Sequence, residues 1–586
     1  MFNNEEDFSF AKLKYLFFPL TTVKAVTIIF IAGVIVYLNS LFNGFVWDDK
    51  SFIILNIEVH SLNIFKLFGQ NSFNTVFDYR PIPAFYFTVL YSLFGENYFF
   101  YHIFQLTLHL INTILIFLLL KHFFSRKLSL FLSMLFIIHP MQVESVSYIA
   151  SSYNPLFFLF GIIALLLTLK ENISLKRLLI IFSLSFLSLL TKETGVLFLV
   201  IILLSRIFFK RGRIFSFSLF SLITIVLYLL MRFSLGGSYY AKSQFVPIDK
   251  LNFFERLVNI PAVIFYYLKT FVFPDKLVIE QQWLVTKIDF GNFYFPLFID
   301  SLFFIVLLYL GFYLYKMKSF FLPYIFFCSW FLLGIIFHSQ IVPLDMTVAD
   351  RWFYFPIVGL LGIIGVIVQL LLLLLPQKHL QKTCYIVAII ILVFLSIRTV
   401  IRNEDWANGI TLYSHDLKFY DNYDIENNLG YEYANEHNYK EAIIHFEKSI
   451  ALLPHEGNLY NIGLIYEQIG DKKKTIEYLT RAINAKNYNP IKHKHELDTY
   501  KSLAWQLLKN RSFPSAKKII KEGLTDYPDM PALWEDLAIC EYGLHNQNQA
   551  LVAIKKAQKL SANEEVNMLY LAIQNKKAIN LLQNQQ

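Results

Sequence analysis

From about residue 21 to residue 400 the chain alternates long apolar runs with short polar breaks. Beyond that it turns amphipathic, with polar turns at a regular spacing. A helix needs about 20 apolar residues to cross the ~30 Å hydrocarbon core of a bilayer. Runs of roughly that length lie near 21–42, 98–120, 128–145, 152–169, 176–191, 193–209, 214–233, 293–315, 319–337, 353–376 and 382–400. The pattern therefore predicts an all-α, polytopic membrane region over 1–402 with about 11 transmembrane helices. Two more apolar runs, near 82–95 and 257–273, are shorter and flanked by prolines, as interfacial or re-entrant helices are.

With those two runs non-spanning and a cytoplasmic N-terminus, the even-numbered connections face the cytoplasm. They are "KHFFSRK" (121–127), "KENISLKR" (170–177), "RIFFKRGR" (206–213), "KMK" (316–318) and "QKHLQK" (377–382). All are short and basic, which satisfies the positive-inside rule. The first long connection, 43–97, and the segments 138–151, 191–195, 234–292 and 338–351 then lie outside, with everything after about 401. Glu5, Glu6 and Asp7 precede Lys12 and Lys14, and no small-residue cleavage site follows the first run, so that run reads as a retained anchor. The expected location is the cell (inner) membrane.

Residues 403–586 carry a repeat. "NNLGYEYANEHNYKEAIIHFEKSIALLP" (427–454) and "YNIGLIYEQIGDKKKTIEYLTRAI" (460–483) align with an offset of 33. Leu429, Gly430, Tyr433, Ala442, Phe446 and Pro454 occupy tetratricopeptide (TPR) positions, and Ile462, Gly463, Tyr466, Leu479 and Ala482 repeat most of them. After an insertion, Leu503, Ala504, Ala516 and Pro528 fit a third unit, and Trp534, Leu537, Ala538, Ala550 and Ala557 a fourth. Small residues let paired helices approach and large ones fill the spaces between repeats, which predicts an α-solenoid of about four units.

Composition agrees: 56% of the residues are hydrophobic and 16% charged, with mean hydropathy +0.48. The net charge of +9 sits in short clusters between apolar runs. That is membrane orientation, and it argues against a nucleic-acid partner. Cys328, Cys384 and Cys540 have neither disulfide nor zinc spacing.

Charges beside apolar spans are costly and point to function. Asp48 and Asp49 follow the first run in "NGFVWDDKSF"; Arg80 precedes Pro81; His139 and Glu144 lie in "IIHPMQVESVSYIASSYNP". Lys192 and Glu193 sit in "LLTKETG", and Asp350 and Arg351 open a run in "MTVADRWFYFP". Each has a bland alternative: solvated interfacial acids, an intramembrane ion pair, a snorkelling arginine, a capping histidine. Their common side is the stronger signal. A carboxylate there suits a general base for an acceptor hydroxyl, and cations suit a lipid-linked phosphate leaving group. Together they describe glycosyl transfer from a polyprenyl-phosphate sugar with inversion at the anomeric carbon. The acidic pair leaves a divalent cation open, and no phosphate-loop or zincin motif is present.

F-V-W-D-D, R-P, H-P-x-x-x-E, K-E-x-G and A-D-R, followed by TPR units, resemble the transmembrane and TPR repeat-containing O-mannosyltransferases, relatives of the protein O-mannosyltransferases of GT-C fold. The resemblance covers about 40–586. It implies a GT-C-like membrane domain and a catalytic base within the pair Asp48 and Asp49. Arg80, Lys192 and Arg351 would be lipid-phosphate ligands, with His139 and Glu144 lining the second external loop. It also implies extracytoplasmic TPR units and transfer of mannose or another hexose to Ser or Thr of a polypeptide acceptor recruited through the TPR groove. Two other classes stay open: a non-catalytic membrane scaffold, and a transporter of lipid-linked sugars.

Overall fold

The computed structural model describes residues 19–69, 79–171, 173–234, 246–374, 378–485, 494–561, 563–577 and 579, with the side chains of 64–66, 378–381, 494 and 495 excluded. Glu5, Glu6, Asp7, Lys12 and Lys14, parts of the two longest connections (70–78 and 235–245), Gln377 and the repeat insertion at 486–493 lie outside the described residues. Regular structure among the described residues is helical, apart from an isolated antiparallel bridge between Gln281 and Val348. The chain divides into two compact units, residues 1–420 and 421–586.

The first unit contains α1 (Thr22–Tyr37), α2 (Pro81–Phe94), α3 (Tyr98–Leu120), α4 (Arg126–Ile138), α5 (Tyr153–Thr168), α6 (Leu175–Thr191) and α7 (Val196–Phe208). It continues with α8 (Ile214–Ser234), α9 (Phe253–Val272), α10 (Phe295–Met317), α11 (Phe321–Phe337), α12 (Pro356–Leu374) and α13 (Lys378–Asp405). Side chains at the polar breaks start several of them: Thr21, Asn97, Ser125 and Ser174 each accept a hydrogen bond from an amide of the first turn, satisfying donors that a helix start leaves open.

Each of the eleven apolar runs holds a helix, yet six helices among the described residues are long and apolar enough to cross a membrane. These are Tyr98–Leu120, Ile149–Thr168, Ile214–Ser234, Phe290–Met317, Pro356–Leu374 and Lys382–Asp405, and the pair Arg126–Ile138 and Pro140–Val146, bent by 53°, would make a seventh. The bend falls at His139 and Pro140, where the proline removes an N–H and holds the preceding residue extended. α9 carries Glu255, Arg256 and Lys269 around Pro261 and is not among the long spans.

Burial divides the helices. In Ile149–Thr168, 78% of the apolar window is buried, against 17%, 17% and 11% in Ile214–Ser234, Phe290–Met317 and Lys382–Asp405. Those three present bare apolar faces, such as Leu308 and Ile390, suited to lipid. α11 and α12 cross closely at Gly359, where a Cβ would stand 2.3 Å from the Phe331 amide nitrogen; small residues permit such contact between membrane helices.

The first unit runs beyond 402 because a helix at Gly409–Asp416 is tied to it. Arg402 pairs with Asp405 at 3.1 Å and Asp416 at 3.5 Å, and the other Asp416 oxygen accepts from the Ile279 amide at 2.7 Å.

The second unit stacks helix pairs: α14 (Tyr423–Asn435) with α15 (Tyr439–Leu452), α16 (Glu456–Ile469) with α17 (Lys472–Ala485), α18 (Lys494–Lys509) with α19 (Phe513–Asp526), and α20 (Pro531–Gly543) with α21 (Gln547–Leu560). α22 (Glu564–Gln574) follows the last pair. A Cβ on Gly430 would meet the Phe446 ring at 2.9 Å, and one on Gly463 the Leu479 side chain at 3.0 Å. Leu503, Ala504, Ala516, Leu537, Ala538, Ala550 and Ala557 are all buried, so the alternation of small and large residues is the repeat's packing code.

Candidate active site

The segment after α1 turns sharply. Asn43 is extended and residues 44–46 have no regular structure before Trp47, whose φ of 52° lies in the left-handed region, a conformation a non-glycine residue holds only when its surroundings fix it. The end of α13 supplies that fixing. Gly44 N–H donates to Ala407 O at 2.9 Å, Asn43 Nδ2 to Asn403 O at 2.9 Å, and Asn403 Nδ2 to Val36 O at 2.9 Å.

The adjacent aspartates separate there. Asp49 is fully buried: one carboxylate oxygen accepts from the Val46 amide at 3.1 Å, the other from the Ala150 amide at 2.5 Å. Burial pushes its pKa up to about 8, against the lowering effect of those amides. Asp48 is half-exposed and accepts the Tyr148 hydroxyl at 2.6 Å. Tyr148 is stacked between Trp47, 5.0 Å between ring centroids, and Trp406, 5.5 Å. The carboxylates thus have different surroundings, and Asp48 has the accessible one.

Cations gather on the other side of Tyr148. The Arg351 guanidinium lies 5.3 Å from the Trp47 ring centre, pairs with Glu144 and is buried; the Arg351 amide donates to the other Glu144 oxygen at 2.8 Å. Arg80 and Arg232 reach opposite oxygens of Glu193, at 3.2 and 2.8 Å. Burial pushes the Glu193 carboxyl up, but the two guanidiniums outweigh it and hold the group below the usual carboxylate range. Lys192 donates to Asn154 Oδ1 at 2.7 Å, and both Lys192 and Arg80 lie about 5 Å from the Tyr153 ring centre, at 5.0 and 4.9 Å.

Lys192 is the unbalanced member. Among the described residues it makes no ion pair, whereas Arg80, Arg232 and Arg351 each have a carboxylate. Burial, then the charges of Arg80 and Arg351, depress its ammonium to about 7. Glu193 and Asp345 oppose those charges without pairing with the ammonium. Tyr153 presents its ring to both Arg80 and Lys192.

Of the nine residues singled out in the sequence, Asp48, Asp49, Arg80, Glu144, Lys192, Glu193 and Arg351 meet in this constellation. Two are committed elsewhere. His139 accepts from the Met141 amide through Nδ1 at 3.3 Å and donates through Nε2 to Phe271 O at 2.9 Å, with its ring stacked on Phe271; it secures the bend before Pro140. Asp350 accepts the Tyr266 hydroxyl at 2.6 Å, which in turn takes the Gln281 amide at 2.6 Å, so its carboxylate is tied to α9. Tyr148, Tyr153, Asn154 and Arg232 were missed. Arg232 was findable, as a charge within the α8 apolar run; the tyrosines carry no such mark among the 35 in the chain.

Asp49 is spent on backbone amides, whereas Asp48 accepts the Tyr148 hydroxyl. Among the described residues no group of three or more His, Cys, Asp or Glu gathers as a metal site.

A tetratricopeptide-repeat family model matches residues 457–489. Over 606 residues, 94% of this chain, the sequence is 24% identical to human protein O-mannosyl-transferase TMTC3, and over 610 residues it is 23% identical to the mouse protein of that name. The chain spans about two thirds of those relatives, 66% and 65% of their lengths. Protein O-mannosyl-transferase F38B6.6 of Caenorhabditis elegans is 30% identical over 188 residues, covering 30% of this chain and 27% of that one. Among solved structures, the TPR protein YrrB matches 28% of this chain and 81% of its own at 17% identity, with a TM-score of 0.24, too low to bear on the fold. Along 94% of its length this chain is similar to proteins named protein O-mannosyl-transferase, and it carries tetratricopeptide units after its apolar helices.

Proposed function

We propose that the protein is a membrane glycosyltransferase that moves a hexose, mannose by analogy with its relatives' names, from a polyprenyl-phosphate donor to a Ser or Thr hydroxyl of a polypeptide. The observation that carries this reading is the buried Lys192 ammonium, which makes no ion pair among the described residues and stands with Arg80 against the Tyr153 ring, together with the half-buried Asp48 carboxylate at the Tyr148 hydroxyl. The cations receive the donor phosphate. Asp48 takes the acceptor proton as the oxygen attacks the anomeric carbon; the bond to the phosphate oxygen breaks with its electron pair, and the cations stabilise the polyprenyl phosphate that leaves. A single displacement inverts the anomeric centre. Glu144 and Glu193 orient Arg351, Arg80 and Arg232, and Asp49 holds the loop that presents Asp48. A divalent cation would find Asp48 and the donor phosphate as ligands.

In this reading the basic connections face the cytoplasm, and the site and TPR units face the opposite side, where the repeats recruit the acceptor. The test is the purified chain in lipid vesicles with radiolabelled mannosyl-phosphoryl-polyprenol and a Ser/Thr-rich peptide. Label should enter the peptide with wild type and not with Asp48→Asn. Donor movement across the vesicle without label in peptide would instead identify a transporter, and neither would leave a scaffold.

A further inference from the structure

The first helices of successive TPR pairs line one groove of about 340 Å³ in the second unit, bounded by Glu467 on α16, Lys501, Ser502 and Trp505 on α18, Ala532, Glu535, Asp536 and Ile539 on α20, and Glu565 and Leu569 on α22. The lining follows the repeat: Trp505 and Ile539 stand one period apart, as do Ser502 and Asp536. Ile539, Leu569 and the indole therefore make an apolar floor edged by carboxylates.

The charges on this lining are not balanced. Glu467 is held by Lys509 at 3.3 Å, and Lys501 leans to Asp498 at 3.6 Å. Glu535, Asp536 and Glu565 make no ion pair among the described residues; burial and then Glu535 push Asp536 up to about 7, and burial and then Glu565 push Glu535 the same way. Independently, the buried indole N–H of Trp505 has no acceptor among the described residues. Glu535 and Asp536 are half-buried and Glu565 is exposed, while the indole is a buried donor left unmatched, which is costly; one ligand answers both, with a cationic side chain for the carboxylates and a carbonyl for the indole.

We propose that this groove binds an extended polypeptide segment that sets a lysine or arginine side chain among Glu535, Asp536 and Glu565 and gives a backbone carbonyl to Trp505. The inference rests on the TPR groove as the polypeptide-binding face, and it is independent of sugar transfer.

The full chain in detergent is titrated with a fluorescein-labelled Gly/Ser peptide carrying one central Leu-Arg-Leu, and with the same peptide in which citrulline replaces arginine. Citrulline keeps the shape and removes the charge. The arginine peptide should bind about tenfold more tightly, the scale of a charge-assisted hydrogen bond, and the margin should shrink with added salt. The triple change Glu535→Gln, Asp536→Asn and Glu565→Gln should abolish the difference. Trp505→Phe, which keeps an aromatic floor and removes the N–H, should weaken both peptides and preserve their ratio, and it serves if the triple variant does not fold. Equal binding of the two peptides, no binding of either, or an unchanged ratio in a folded triple variant would overturn the proposal. Because no sugar is transferred, failure here leaves the glycosyltransferase reading untouched, and failure of that reading leaves this one.

Discussion

Asp49 Oδ1 accepts the backbone N–H of Ala150, a residue 101 positions later in the chain, at 2.5 Å. That bond joins the loop after α1 to the segment entering α5 and turns Asp48, its neighbour in sequence, toward the Tyr148 hydroxyl at 2.6 Å. The two aspartates therefore hold different tasks, loop anchor and outward carboxylate.

Substituting them should separate stability from activity. In Asp49→Asn the amide NH₂ would face a backbone N–H, leaving a buried donor unmatched at a cost of about 1–3 kcal/mol, read as a lower unfolding temperature. Asp48→Asn should fold like wild type and lose roughly 10²- to 10⁴-fold in transfer rate, the weight of a general base. Equal losses of stability in both variants would contradict the division.

Lys192 should make donor binding pH-dependent. Its pKa is depressed to about 7, by burial first and then by Arg80 and Arg351. A bound phosphate favours the charged form, so binding takes up a proton and weakens as pH rises through 7 and above. Lys192→Met should weaken donor binding, flatten that profile and raise the unfolding temperature of the donor-free protein by removing a buried cation from among cations. Calorimetry in two buffers of different ionisation enthalpy measures the proton uptake.

Arg351 and Glu144 form a buried pair, each 4% exposed. Breaking it with Glu144→Gln leaves a buried guanidinium and should cost about 3–5 kcal/mol. The double change Glu144→Gln with Arg351→Met removes both charges and should recover most of the unfolding temperature, while transfer stays absent because the phosphate has lost a cation. Denaturation and transfer assays on the three proteins check this pattern.

The second unit should lose stability as pH rises. Asp536 is pushed up to about 7, by burial first and then by Glu535, with Lys501 opposing; Glu467, which pairs with Lys509, and Glu565 share the groove. The folded state therefore holds a proton that the unfolded chain releases near pH ~4, and the corresponding stabilisation fades between about 4 and 7. Asp536→Asn should raise the unfolding temperature of this unit at pH 8 and change it little at pH 4.

Much of this protein was legible along the chain. Apolar runs mark the places of the membrane-region helices because burial in lipid requires continuous apolar length. Gly430 and Gly463 announce the repeat because close helix pairs need a missing side chain at a fixed period. Nine candidate residues stood out as polar groups beside apolar runs, where burying a charge is costly, and seven of them lie together in the structure.

The division of labour among those residues needed the tertiary structure. Sequence adjacency says nothing about which of Asp48 and Asp49 meets the Ala150 amide, nor that Arg351 turns to Glu144 while Asp350 turns to Tyr266. His139 looked like a site residue until Phe271 O and the Met141 amide took both its nitrogens. Tyr148 and Tyr153 became notable through what they touch, Asp48 and the cations around Lys192. Local pattern records what each residue costs to bury, and that is enough to find the helices and the charges. Which partner repays the cost is decided between segments far apart in the chain, and only packing brings those segments together.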